Sequence, residues 1–432
     1  MNIQKSFTTL FAALMLILAP AARAEQARVY LDFTAAELRK VPMAVPYFQD
    51  KAQPAKASAA GRAMADLMSR GLAFHGFIDV IPPDRYQGRQ NSDWQTLGAD
   101  FTLFGQYEID RGNMVLELRL MGIGEGRMLL GRRYRGPADS QQEMILKFCD
   151  EVILTLTGET GISRSRIAFT SDKTGAKEIY LADVLGDNVR QVTNHRDLAV
   201  APRFSPDGKF LTYTSYHHGN ADLYITNLAQ SKTTKPLSRR KGLNMAPAWA
   251  PDGKSMVVTL SKDGNPDLYE IDTKGFILRQ LTAKAGINVS PSWSPDGKHI
   301  TFVSDRSGTP QIYIMNMATK AVHRLTYEGK YNTSPSWSPK GNLIAYAADY
   351  GGHYQLCLIS PEGGSPVRLT KGWGDHESPS WSPDGNQIVF ARNRGNHRKI
   401  CTIFRNGKGL RELFDLKGDQ NFPQWSPRLE QM

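Results

Sequence analysis

Cysteine is scarce, with three in 432 residues. Three cysteines cannot build a disulfide framework, and none stands in a Cys-x-x-Cys pair of the kind that binds zinc or carries redox chemistry. The apolar run at residues 11–18 (FAALMLIL) falls short of the ~20 residues that a membrane-spanning helix needs, and nothing later is apolar enough to cross a bilayer. No five like charges stand in a row. The excess of 53 Lys+Arg over 42 Asp+Glu therefore reads as a dispersed, solvated surface and not a nucleic-acid tract. A Gly-x-Ser-x-Gly elbow and a His-Glu-x-x-His pair are both missing, which removes the usual signatures of an α/β hydrolase and a zinc peptidase. Long helices are excluded over residues 160–427, where Gly and Pro recur throughout. What is present, 41% hydrophobic and 22% charged residues, suits a globular chain of two to three domains at roughly 150 residues each.

The first 24 residues read as an address. Lys5 supplies a short positive region, the apolar run follows, and Ala22-Arg23-Ala24 is a small-x-small cleavage site that puts the mature start at Glu25. A buried N-terminal helix is the alternative, and the cleavage site argues against it. No cysteine stands at the junction, so a soluble exported protein is expected, with no lipid anchor. Removing Lys5 and Arg23 lowers the formal charge from +11 by two, to +9. Export places nucleic acid out of reach, and the remaining basic excess suits anionic envelope components.

The strongest positive feature is an internal repeat. A Pro-x-aromatic-Ser-Pro-Asp-Gly box recurs at residues 202–208, 247–253, 291–297, 335–341 and 379–385, and a truncated copy occupies 423–427. Its aromatics are Phe204, Trp249, Trp293, Trp337, Trp381 and Trp425, so five of the seven tryptophans hold one structural position at 44- to 45-residue spacing. Ser-Pro-Asp-Gly makes a type I turn, with Pro second and Gly fourth. Lys340 for Asp and Ala250 for Ser are replacements such a turn tolerates. After each box come a β-rich run, a glycine turn, a second β run with Tyr180, Tyr224, Tyr269, Tyr313, Cys357 and Cys401 in register, and a last short strand ending in Leu-Thr or similar, as at Leu281-Thr282, Leu325-Thr326 and Leu369-Thr370. Four short strands in about 44 residues is one propeller blade. The aromatics should wedge between blades as core.

Residues 166–171 form a second-strand sequence with no box before it, and the box at Trp425 has no second strand after it. Joined, these halves give a six-bladed ring latched by one C-terminal strand beside three N-terminal ones. Cys357 and Cys401 occupy equivalent sites in consecutive blades, too far apart to bridge, and are expected buried and unpaired; Cys149 lies in the other domain and also has no obvious partner.

Residues 25–158 lack the repeat and read as an N-terminal α/β domain, with 159–165 as linker and 166–432 as propeller. Strands are expected at 28–33, 41–48 and 77–81, a helix at 57–74, a short helix near 94–97, and a three-stranded meander over 101–108, 114–121 and 128–134. Asp139 suits the N-cap of a final helix that Gly158 ends.

With the export signal, the α/β domain and six Trp-Ser-Pro-Asp-Gly blades, the mature chain resembles the TolB family, periplasmic components of the Tol–Pal system. The opening Glu25-Gln26-Ala27-Arg28-Val29-Tyr30, the Val41-Pro42-Met43-Ala44-Val45-Pro46-Tyr47-Phe48 stretch and Gly98-Ala99-Asp100 carry the resemblance beyond the blade motif, which other propellers share. The resemblance implies a non-enzymatic adaptor without cofactor. Its propeller would bind the lipoprotein Pal and its mature N-terminal tail TolA, in support of outer-membrane integrity and constriction during division. Other envelope proteins and colicins are further partners the resemblance allows; nucleic acid and a membrane span are not expected.

Topology locates the expected Pal surface. Loops joining the fourth strand of one blade to the first of the next share one face around the channel mouth. From them Leu243, Asn244, Ala246, Asn288, Val289, Ser290, Asn332, Thr333, Ser334, His376 and Glu377 are the candidate contacts. The alternative is that the asparagines only cap turns. For TolA the candidates are Glu25, Arg28, Val29, Tyr30 and Leu31, whose alternation suits a strand added to a partner's sheet edge. A propeller-based hydrolase or lyase is the competing class. It lacks a nucleophile elbow and room after Trp425 for a hydrolase domain, and its recurring aspartates Asp207, Asp252, Asp296 and Asp384 sit in turns on the face opposite those loops. A sugar- or ion-binding propeller is a third class, with Asp375 and Glu377 the acidic groups nearest the mouth.

Overall fold

A computed structural model describes residues 40–54, 58–230, 234–395 and 397–429. The expected signal peptide, the strand at 28–33 and the five TolA candidates lie outside the described residues. Among the described residues no helix is long and apolar enough to cross a membrane.

The N-terminal sheet runs in the order Ile78–Val80, Val41–Ala44, Phe101–Asp110, Asn113–Gly122, Arg127–Pro137, with Gln49–Asp50 also beside Phe101–Asp110. Its first pairings are parallel and its last three strands form the expected antiparallel meander. Two helices pack on it, α1 (Ala59–Ala73) and α2 (Gln141–Thr157). Ser58 caps α1 by accepting the Gly61 N–H at 2.8 Å, and Met64, Met68 and Leu72 recur along its buried face at four-residue steps. Those side chains meet Leu103, Leu116 and Leu118 of the sheet and Phe148 and Val152 of α2 in one core.

Three local expectations are corrected. The strand expected over 41–48 breaks after Ala44, and the Tyr47 and Phe48 amides bond instead to the Gly88 and Gly61 carbonyls, while Pro46 has no N–H to offer a ladder. Residues 94–97 form turns and no helix. Asp139 sits in a 3-10 turn (Ala138–Ser140) ahead of α2 and caps nothing, whereas Gly158 does end α2, in the left-handed conformation at φ 78°.

Residues 166–425 form six four-stranded antiparallel sheets. Blade one pairs Gln420–Trp425 with Arg166–Ser171 in the register Gln420 to Ser171 and Trp425 to Ile167, then adds Glu178–Asp183 and Arg190–Gln191. The two orphan halves thus close the ring. Blades two to six begin with the innermost strands Ala199–Phe204, Asn244–Trp249, Asn288–Trp293, Asn332–Trp337 and Asp375–Trp381. The box makes the turn to the second strand. In blade four the Ser294 hydroxyl donates to Asp296 at 2.6 Å and accepts the His299 N–H at 2.9 Å, and the Gly297 N–H closes on the Ser294 carbonyl at 3.0 Å. Blade three keeps the backbone bonds at Ala250 without the hydroxyl. All three cysteines are buried and free.

The N-terminal domain rests on the blade that closes the ring and on its neighbour, blade six. Phe74, just past α1, lies 6.0 Å from the Trp425 ring, with the Arg411 guanidinium 4.5 Å above it. Gln387 Nε2 and Arg411 Nη2 donate to the Phe74 carbonyl at 3.0 and 3.1 Å. The linker is tied down as well. Asp150 of α2 accepts the Ser163 N–H at 2.6 Å and Arg164 Nε at 3.0 Å, and His75 Nε2 accepts the Ile162 N–H at 3.1 Å.

Candidate partner-docking mouth of the propeller

Each innermost strand starts at the mouth and runs down the channel to its box. A bulge interrupts all six. Pairing with the second strand skips a residue between Val200 and Arg203, Met245 and Ala248, Val289 and Ser292, Thr333 and Ser336, Glu377 and Ser380, and Asn421 and Gln424. In each bulge a non-glycine residue takes positive φ directly before a proline: Ala201, Ala246, Ser290, Ser334, Ser378 and Phe422, all between 50 and 55°. Proline cannot donate to a ladder, so a bulge on a strand facing an open channel is where it fits. The left-handed residue ahead of it costs on the order of 1–3 kcal/mol. The bulge splits each strand into a mouth half and a box half.

The mouth half opens with a ring of buried residues, Ala199, Asn244, Asn288, Asn332, His376 and Gln420. The three asparagines and His376, expected as contacts, are covered by their own loops. Asn244 Nδ2 donates to the Arg240, Gly242 and Ala221 carbonyls at 2.7, 3.0 and 3.2 Å. Asn288 Nδ2 donates to Asp267 Oδ1 at 3.0 Å and the Gly286 carbonyl at 2.8 Å, while its Oδ1 accepts Arg306 Nη2 at 2.8 Å. Asn332 Nδ2 bonds Gln311 Oε1 and the Glu328 carbonyl, both at 2.8 Å. These amides hold loops. In this structure none of the four offers surface to a partner. Burial also drives the His376 imidazole down to about 4, so it is neutral.

The Leu-Thr strand ends complete this scaffold. Thr282 Oγ1 accepts the Leu268 N–H at 2.9 Å and donates to Asp267 at 2.7 Å, and Thr326 does the same between the Ile312 N–H and Gln311. The recurrence of Leu-Thr carried this signal in the sequence.

Of the other expected contacts, Leu243, Ala246, Val289, Ser290, Thr333, Ser334 and Glu377 are partly exposed. Burial and the nearby Asp375 raise the Glu377 carboxyl above its ordinary range. More accessible still are Ile287, at the head of one of these loops, and two residues the sequence reading passed over. Ile287, Tyr327 and Trp373 stand on three successive mouth loops, with Tyr327 73% and Trp373 60% exposed. Every mouth loop also carries an exposed cation: Arg196, Lys241, Lys284, Lys330, Lys371 and Lys417. The signal was there, since each lies one to five residues before an innermost strand.

The box half ends in a second compartment. Its walls are the six box segments, and it encloses about 480 Å³. Trp249, Trp293 and Trp337 are only partly buried, so the wedging tryptophans also line this cavity. Their indole N–H groups are engaged, Trp249 on Thr212 Oγ1 at 3.1 Å, Trp293 on the preceding blade's Ala248 carbonyl at 3.0 Å and Trp337 on the Gly341 carbonyl at 3.0 Å.

A family model described as the TolB β-propeller domain matches residues 154–429. A Tol–Pal system protein TolB from Desulfotalea psychrophila is 48% identical over 215 residues, 50% of this chain and 49% of that protein. One from Desulfosudis oleivorans is 39% identical over 208 residues, 46% of this chain and 48% of its own length. The chain thus spans about half the length of these curated relatives. The crystal structure of TolB from Acinetobacter baumannii superposes with a TM-score of 0.79 at 27% identity, over 90% of this chain and 97% of that one. The chain belongs to the TolB β-propeller domain family.

Proposed function

We propose that this chain is a non-enzymatic periplasmic component of the Tol–Pal system, an adaptor that captures the lipoprotein Pal at the propeller mouth. The observation that carries the reading is the mouth itself: partly exposed positions on six equivalent loops, ringed by six cations and three exposed apolar anchors, and stiffened from beneath by buried amides. Aromatic anchors beside a charged rim are what a protein interface needs; Asp197, Glu328 and Asp415 share three of the loops, so the rim is mixed with a cationic excess, which favours an acidic facing surface on Pal. Contact falls to Leu243, Ala246, Val289, Ser290, Thr333, Ser334 and Glu377, with Tyr327 and Trp373 as anchors, while Asn244, Asn288, Asn332 and His376 support them. The second partner is TolA, engaged by the mature N-terminal segment through Glu25, Arg28, Val29, Tyr30 and Leu31. The relatives named as Tol–Pal system proteins support membership of that system and its periplasmic setting. An adaptor also fits the thiols: burial pushes Cys357 and Cys401 up to about 11, the opposite of an activated nucleophile.

The test is binding of purified Pal to the mature chain and to Trp373→Ala and a Lys330→Glu, Lys371→Glu double variant. The alanine change should weaken capture at least tenfold, and the charge reversals should weaken it at low salt more than at high salt. Wild-type affinity in both variants would remove the mouth as the Pal site. Deleting residues 25–33 should abolish TolA binding and leave Pal binding intact.

A further inference from the structure

The box-end compartment of the channel holds a charge without a counter-charge. Among the described residues its only charged lining residues are Arg203 and Arg428, and no carboxylate lines it. Arg428 lies at the exposed rim and donates to the Thr160 carbonyl at 2.9 Å. Arg203 stands inside, at the ring position that Ala248, Ser292, Ser336, Ser380 and Gln424 fill in the other blades. Its one hydrogen bond runs from Nη1 to the carbonyl of its own neighbour Pro202, at 2.9 Å. No acidic group forms an ion pair with it among the described residues. Burial with nothing to offset it lowers its pKa to about 10. Arg203 is only partly buried and lines the channel, so an anion can reach it, and a charge-assisted hydrogen bond there would offset the cost of its partial desolvation.

The surroundings define the anion. On the adjacent innermost strand the Gln424 side-chain oxygen is buried with no donor, so a half-turn of that amide can present its NH2 instead. Ser292 and Ser380 accept the Trp337 and Trp425 backbone N–H groups at 3.0 Å, which leaves each hydroxyl proton free to donate. One enclosed cation matches one negative charge, hence a carboxylate in preference to a phosphate dianion. The rest of the wall is tryptophan, proline and box serines, several of whose hydroxyls are spent within their own turns, as Ser294 and Ser382 are on Asp296 and Asp384, so the tryptophan faces are where an apolar body of the ligand would lie. The volume lies within the ~300–1,000 Å³ of small-molecule sites.

We propose that this compartment binds a small organic monocarboxylate, its carboxylate on Arg203 and its apolar body against the box tryptophans. The carboxylate can come from a free acid or from the C-terminus of a peptide. The site lies at the opposite end of the channel from the mouth and stands independently of the Pal reading.

Five of the seven tryptophans line the cavity, so intrinsic tryptophan fluorescence of the mature chain reads occupancy directly. We would titrate 3-phenylpropionate, its neutral amide, acetyl-Ala-Phe with a free C-terminus, and inorganic phosphate. Saturable change with 3-phenylpropionate and at least tenfold weaker response to the amide are expected, with phosphate inert; a matching response to the peptide acid would extend the site to chain termini. Arg203→Gln should reduce the acid to the amide's affinity, and Arg203→Lys should fall between. An acid and amide of equal affinity, a flat acid titration, a stronger response to phosphate, or an Arg203→Gln protein that binds the acid as well as wild type would each overturn the proposal. The acid-against-amide comparison needs only the unaltered protein, so it decides even where the glutamine variant folds poorly.

Discussion

At the scale of single residues, His376 departs from its ring. Its counterparts one, two and three blades back are Asn332, Asn288 and Asn244, and all four are buried. Burial lowers the imidazole to about 4, so the unfolded chain binds the proton that the folded chain refuses. The stability this residue contributes is complete above its unfolded value of ~6.5 and is lost as pH falls toward about 4. His376→Asn should fold, because the same loop position accepts asparagine three times over. Between pH 7 and pH 5 the wild type should lose about 2 kcal/mol more than the variant, measured by urea unfolding at each pH. Parallel curves would mean that the imidazole is not the proton acceptor. The ring of amides was legible as a 44-residue recurrence, but its role was not. Recurrence marks a structural position and does not say whether the side chain faces a partner or its own loop.

The element that sequence reading missed most completely is the bulge. The prolines Pro202, Pro247, Pro291, Pro335, Pro379 and Pro423 were visible, but the left-handed residues before them were not, because alanine, serine and phenylalanine carry no preference for positive φ. Here ring geometry overrides local propensity. Ser334 at φ 53° is a fair probe. Ser334→Gly should be neutral or stabilising by a few tenths of a kcal/mol, since glycine adopts that backbone freely, and Ser334→Val should cost roughly 1–3 kcal/mol in thermal unfolding. Equal melting temperatures for the two would show that the bulge stores no strain. The turn that follows was, by contrast, readable in full from Ser-Pro-Asp-Gly, because each residue type there has its own conformational reason.

For the molecule as a whole, blade number and closure followed from two incomplete repeats, and closure is as expected, with Trp425 opposite Ile167. Where the N-terminal domain sits did not follow. Its joint consists of single side chains from distant segments, Phe74, Arg411 and Gln387, that share no motif. Phe74→Ala should therefore loosen two things together, domain docking and the closing blade. Loss of its buried ring is worth roughly 3–5 kcal/mol, and limited proteolysis should cut within residues 158–165 faster than in the wild type. An equally resistant variant would mean that Asp150 and His75 hold the linker unaided.

Closure by residues 420–425 also constrains how the protein is made. Synthesis delivers a chain from its N-terminus, yet the first sheet of the ring waits for a strand that emerges long after its neighbour. Until then the backbone of Arg166–Ser171 presents an unsatisfied row of amides and carbonyls, a template for any passing extended segment. A nascent chain stopped short of Gln420 would be a sticky open fan, so the hazardous interval is the time needed to add the roughly 250 residues between the two strands, on the order of 10–50 s at 5–20 residues/s.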